Sequence, residues 1–170
     1  MARKNAVIDA IRTRRSVRGY QPGPVPRADL ETIVDCARLA PSGMNEQTWE
    51  FVVVTDNELL AGIADLAPDN GPFIADAMAC VVVAGKRDNK NVYLDGAAAT
   101  ENMLLAIHSL GYASCWVQAM EKPYSRRVAE LLGIPDDLVL CALVPVGVAF
   151  GDPEPLPKRP LVDVIHWEKF

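Results

Sequence analysis

This 170-residue chain has only two histidines, His108 and His166, too far apart to suggest a metal site. Cysteine is almost as sparse. Cys36, Cys80, Cys115 and Cys141 each lie in an apolar stretch, and none belongs to a CxxC pair or a metal knuckle. Buried, reduced thiols are the expectation. The glycines form none of the usual phosphate or nucleophile signatures. No GxGxxG follows a strand, which argues against a Rossmann site. Gly85-Lys86 lacks the glycine five positions earlier that a P-loop needs, and GxSxG is missing. Hydrolase and kinase chemistry therefore has little to stand on. A basic surplus is lacking too: the net charge of −5 argues against general nucleic-acid binding. The longest apolar stretches, around residues 79–84 and 138–150, are too short or too broken to span a bilayer. No apolar run near the N-terminus suits a signal peptide, so a cytoplasmic protein is expected.

What is present reads as one folded domain, with half of its residues apolar and no repeat or composition break. Helical spacing of Val7, Ile8 and Ile11 predicts a helix over 6–12, and that of Leu30, Ile33, Val34 and Ala37 one over 29–39. Further helices are expected at 58–66, 94–110 (capped by Gly111) and 126–132. The β-branched or apolar runs 49–55, 79–85 and 138–148 predict buried strands, with a short strand at 113–117. The class is α+β around one sheet.

Three clusters could carry chemistry. Arg12, Arg14, Arg15 and Arg18 crowd a helix end, joined by Arg3 and Lys4 against Asp9 as the single acid in the first eighteen residues. Such a group repels itself unless an anion neutralises it, and planar guanidinium donors match phosphate oxygens. From charge alone, a solvated basic edge is as good a reading. Ser42, Asn45 and Gln47 share the constrained loop APSGMNEQTW, where they could bond the edge of a heteroaromatic ring or simply the turn's own backbone. Lys158 and Arg159, braced by Pro157 and Pro160, could clamp a phosphate or form an ordinary surface pair.

Taken in order, RRSVR, a proline loop, APSxxNxQxW and FVVV resemble the N-terminal signature of the FMN-dependent nitroreductase family. The stretches DGAAATENMLLA, LGYASCW, LLGIP, VPVG, KRPL and VIHWEKF are similar to its later segments, in register over nearly the whole chain.

That resemblance implies a nitroreductase-like FMN-binding fold, with a central mixed sheet flanked by helices in an intertwined homodimer. Residues 1–170 would form a single domain whose C-terminal arm, about 151–170, crosses to the partner subunit. It also implies FMN held by Arg14, Arg15 and Ser16 on the phosphate and ribityl side, with Arg18 at the N1/O2 edge stabilising the reduced flavin. Asn45 would meet the pyrimidine end, supported by Ser42 and Gln47, and Lys158 and Arg159 would complete the phosphate site. Flavin N5 would be met by backbone near 117–120. Thr48 stands where the family commonly has proline, which would loosen the loop slightly. The chain is short for the family, so a helical insertion covering the active site is not expected. The implied activity is ping-pong transfer of hydride from NADH or NADPH to a small oxidised acceptor such as a nitroaromatic, quinone, flavin or activated alkene. Reductive dehalogenation, flavin cleavage and non-catalytic FMN binding are the alternatives on the same fold. No metal, nucleic-acid or membrane partner is implied.

Overall fold

A computed structural model describes residues 5–170; Arg3 and Lys4, counted in the basic cluster, lie outside them. The chain runs α1 (Ala6–Thr13), β1 (Tyr20–Gln21), α2 (Arg27–Arg38), β2 (Trp49–Val54), α3 (Asn57–Leu66), β3 (Ala79–Lys86), α4 (Val92–Ser109), β4 (Ala113–Ser114), β5 (Val117–Gln118), α5 (Ser125–Leu131) and β6 (Leu138–Ala149). Short 3-10 turns add Gly43–Asn45, Pro72–Asp76 and Leu161–Asp163.

Strand order is β1-β6-β3-β2, and β4 and β5 pair with β6 on the β1 side. Each of these strand pairs is antiparallel. The expected mixed sheet is therefore antiparallel in its ladders, with one parallel contact at the isolated Ser16–Ser114 bridge. β6 is the spine because its apolar run is long enough to serve β3 along one edge and three short strands along the other. β2 pairs only with β3, so its outer edge is unpaired among the described residues.

Val81, Val83, Val144 and Val146 face α2 and α4 in one core cluster, with Ile33, Met103 and Ile107. Cys80, Val82 and Leu143 face α3 and α5 in the other, with Leu60, Ile63 and Val128. A sheet covered on both faces needs strands that are apolar at every position. This is why 79–85 and 138–148 carry no polar alternation. α4 crosses one face closely at Gly96, where a Cβ would lie 2.6 Å from Cys141 Sγ. Gly111 ends this helix region at φ +85°, as its cap role requires.

Cys80, Cys115 and Cys141 are buried, Cys36 is half-buried, and all four are free thiols. No described helix is long and apolar enough to cross a membrane. Beyond β6 the chain extends without cover: every residue from 150 to 170 is exposed.

Candidate active site

The basic segment is pinned to the sheet rather than loose. Past α1, Val17 donates its N–H to the Ser114 carbonyl at 2.9 Å and buries its side chain. In an extended chain the neighbours of a buried residue point outward. Ser16 and Arg18 are accordingly exposed on either side of Val17. Arg18 has no hydrogen bond or ion pair to another described residue. Its charge is nonetheless felt by Cys115, whose thiol burial pushes up while Arg18, a bond from Ser16 and Arg14 pull it back.

Arg14 and Arg15 are half-buried. Arg14 Nε stands 4.0 Å from Glu101 Oε1 on α4. Arg15 curls back, Nη1 donating to the Arg12 carbonyl at 2.8 Å and the Arg14 carbonyl at 2.9 Å. Part of its fork therefore braces the end of α1. Both arginines line a cleft of about 490 Å³ with Thr13, His108, Ser114, Asp152 and Pro153.

His108 is a residue that sequence reasoning missed. Its Nε2 lies 2.7 Å from Thr13 Oγ1, whose own hydrogen goes to the Asp9 carbonyl at 2.7 Å. Thr13 must then accept, so His108 carries its proton on Nε2. Burial first, then Arg14 and Arg15, lower the His108 pKa.

The loop 40–48 is wound in an unusual way. Met44, Asn45 and Gln47 have φ of 52°, 57° and 50°, in the left-handed region that side chains disfavour. Ser42 Oγ accepts the Gln47 N–H at 3.0 Å, and Gln47 Nε2 donates to the Asn45 carbonyl at 3.2 Å. Ser42 and Gln47 thus hold the curl, while the Asn45 side chain stays exposed. The Thr48 carbonyl accepts the Lys86 N–H at 3.2 Å. Proline could make that same bond, so Thr48 does not loosen this tie.

Lys158 and Arg159 are exposed on the arm, and Arg159 Nη2 donates to the Asp163 carbonyl at 2.7 Å. Neither lines the Arg14–Arg15 cleft, which the arm reaches only with Asp152, Pro153 and Pro155.

The window after β4 has its carbonyls engaged and some of its N–H groups open. The Gln118 carbonyl takes Tyr124 Oη at 2.6 Å and Asn70 Nδ2 at 3.2 Å, and Ser125 Oγ donates to the Ala119 carbonyl. The Ala119 N–H goes to the Cys141 carbonyl at 3.3 Å. The N–H groups of Met120 and Glu121 have no such partner among the described residues, and Glu121 has φ +55°.

Two separate candidate half-sites result. Loop 40–48 is fixed at the first turn of α4, where Gly43 donates its N–H to Asp95 Oδ1 at 3.0 Å. The basic segment lies along the later turns, at Glu101 and His108. Asp95 stands six positions from Glu101 and thirteen from His108 on this helix, about 9 Å and about 20 Å along its axis.

Residues 11–71 and 67–148 match the Nitroreductase family. A Methanothermobacter thermautotrophicus protein, provisionally named NADH dehydrogenase/NAD(P)H nitroreductase, is 33% identical over 98% of this chain and 89% of its own. A crystal structure of a Bacteroides thetaiotaomicron protein with the same provisional name superposes at TM-score 0.93, with 28% identity. It covers 99% of this chain and 100% of the other. An FMN-dependent nitroreductase from Clostridium difficile gives TM-score 0.88 and 27% identity over 96% of this chain and 99% of its own. The chain belongs to the nitroreductase family, and it is an oxidoreductase.

Proposed function

We propose that this oxidoreductase binds FMN and passes hydride from NADH or NADPH to a small oxidised acceptor, a nitroaromatic, quinone, flavin or activated alkene. The observation that carries the reading is the pinned segment Arg14–Arg18, which sets half-buried Arg14 and Arg15 on a cleft of about 490 Å³ and leaves Arg18 exposed. FMN has a phosphate and a heteroaromatic ring that becomes more negative on reduction, and this donor set suits both. The names of relatives, NAD(P)H nitroreductases and an FMN-dependent nitroreductase among them, support the same cofactors.

Bound FMN would supply the two-electron chemistry, accepting hydride and returning it to the acceptor. The chain's part is to hold and tune. Arg14, Arg15 and Ser16 serve the phosphate and ribityl side. Arg18 would supply a positive charge at the ring edge, lowering the energy of negative charge that develops there. A backbone N–H of the 117–120 window, such as that of Met120, would meet the ring. Asn45 serves the pyrimidine end. Lys158 and Arg159 reach a phosphate only after the arm shifts or through a partner subunit.

The separation of the half-sites supports a homodimer in which FMN lies between chains, with Asn45 given by one subunit and Arg14–Arg18 by the other. The arm exposes Leu161, Val162, Trp167 and Phe170, each at 70% or more. A groove of about 740 Å³ lined by Leu30, Val34 and Val53 runs between α2 and the free edge of β2. An extended segment suits such an edge, so the arm of each subunit docks on its partner.

The absorbance spectrum of the purified protein, with chromatography of the released chromophore and an anaerobic titration with NADH and NADPH, tests this reading. FMN bleached by either nucleotide and re-oxidised by a nitroaromatic or quinone is expected. A colourless protein that FMN neither binds nor stabilises would refute it. Turnover restricted to halogenated substrates would move the chemistry to dehalogenation.

A further inference from the structure

We infer that Asp95 is the positioning residue for the loop that presents Asn45, clamping it against α4 together with Asn91 and Asn89. The inference rests on the FMN reading above and assigns a role to side chains outside the proposed contact set.

The loop holds three non-glycine residues in left-handed backbone. Such conformations persist only where surrounding structure over-determines them. The bonds among Ser42, Asn45 and Gln47 are internal to the curl and do not fix its place on the body. Three contacts at its Gly43–Glu46 side come from the turn before α4 and from that helix's start. Asp95 Oδ1 accepts the Gly43 N–H at 3.0 Å. Asn91 packs so closely that a Cβ on Gly43 would lie 2.2 Å from its Nδ2. Asn89 Nδ2 donates to Glu46 Oε2.

Asp95 is the member with most at stake. It is only 6% exposed, and its Oδ2 has no partner among the described residues. A buried carboxylate with a single donor depends on that donor, and a hydrogen bond to a charged acceptor is stronger than a neutral one. If the loop lifted, the carboxylate would lose the one hydrogen bond it has, so its burial penalises the lifted state. Its charge is also felt at Cys141, whose thiol is pushed up to about 11 by burial and then by Asp95. The side chain is thus set between the sheet and the loop, and it can act on Asn45 without touching the ring.

The test uses the full chain and the variants Asp95→Ala, Asp95→Asn, Asn45→Ala and the Asp95/Asn45 double alanine. Amide exchange of Gly43, followed by NMR without added flavin, reads the clamp directly. Affinities for FMN and riboflavin read its effect. Asp95→Ala should lose at least about tenfold in Gly43 protection, the loss expected when a charge-assisted bond goes. It should weaken FMN and riboflavin alike by about tenfold, leaving their ratio (set by the phosphate cleft) unchanged. In the Asn45→Ala background the same change should cost less than about twofold, because the two residues act in series. Asp95→Asn keeps the acceptor and should stay within about threefold of wild type.

An Asp95→Ala protein that melts lower yet keeps both affinities, or whose cost is fully additive with Asn45→Ala, would reduce Asp95 to a structural residue. Should Asp95→Ala not fold, Asn91→Ala puts the same pattern to the test with the carboxylate left in place. Wild-type chain that binds neither flavin would overturn the FMN reading and this inference with it. Wild-type binding with an unaffected Asp95→Ala would overturn the inference alone.

Discussion

Arg18 owes its freedom to Val17. Because Val17 is buried and bonded to Ser114, the next side chain must point out, and no described residue neutralises it. Arg18→Ala should therefore leave the fold unchanged and lower the flavin midpoint potential by about 30 mV, read by anaerobic redox titration. An unchanged potential would remove its proposed role. Arg14→Ala should weaken FMN by about 10- to 100-fold, the usual scale for a charged hydrogen bond, with riboflavin hardly affected. Equal losses for both flavins would show that Arg14 does not serve the phosphate. His108 gives a pH signature. Its folded pKa is depressed, so its contribution to stability is present above the unfolded value of 6.5 and is lost as pH falls through the folded one. The apoprotein should melt lower at pH 5.5 than at 7.5, and His108→Gln should shrink that difference. An identical pH dependence in the variant would assign the effect elsewhere.

At the scale of elements, α4 and β6 meet at Gly96. With 2.6 Å to Cys141 Sγ and 2.8 Å to its Cβ, Gly96→Ala must push the helix off the sheet. A loss of about 1–3 kcal/mol is expected by denaturant titration, as for other overpacked cores. A neutral result would mean that this crossing yields easily. The strands themselves were legible because a sheet buried on both faces leaves an unbroken apolar run such as ACVVVAG, whereas WEFVVV, expected to be buried, is an edge strand with Glu50 and Val53 exposed. The expected single strand at 113–117 is instead two two-residue strands, β4 and β5, whose bounds are set by pairing with β6, a tertiary cause that local preference does not record. The 3-10 turn Pro72–Asp76 escaped for a similar reason: it is a short link docked through Ile74. In the site, Ser42, Asn45 and Gln47 could be singled out as polar residues on a constrained loop. Asp95 hid in an alanine-rich helix, where a first-turn acid reads as a favourable dipole partner. A carboxylate on the face of α4 that carries Ala99 and Met103 was the available signal.

At the scale of the whole molecule, the proposed homodimer rests on the exposed arm and on a β2 edge that no other described strand pairs. Deleting residues 151–170 should turn a dimer into a monomer by light scattering and abolish flavin retention. A truncated chain that stays dimeric would place the interface elsewhere, for example on the exposed Val7, Ile8 and Ile11 of α1.

The spacing of the two half-sites along α4 has a genetic consequence. If Arg14 and Asn45 of one flavin site belong to different chains, Arg14→Ala and Asn45→Ala are defects that can be sorted apart. Each variant alone spoils both sites of its homodimer. Co-expressed, they assort so that about half of the dimers are mixed, each holding one intact site and one doubly damaged site. Two inactive alleles would then complement each other, restoring about a quarter of the wild-type flavin sites.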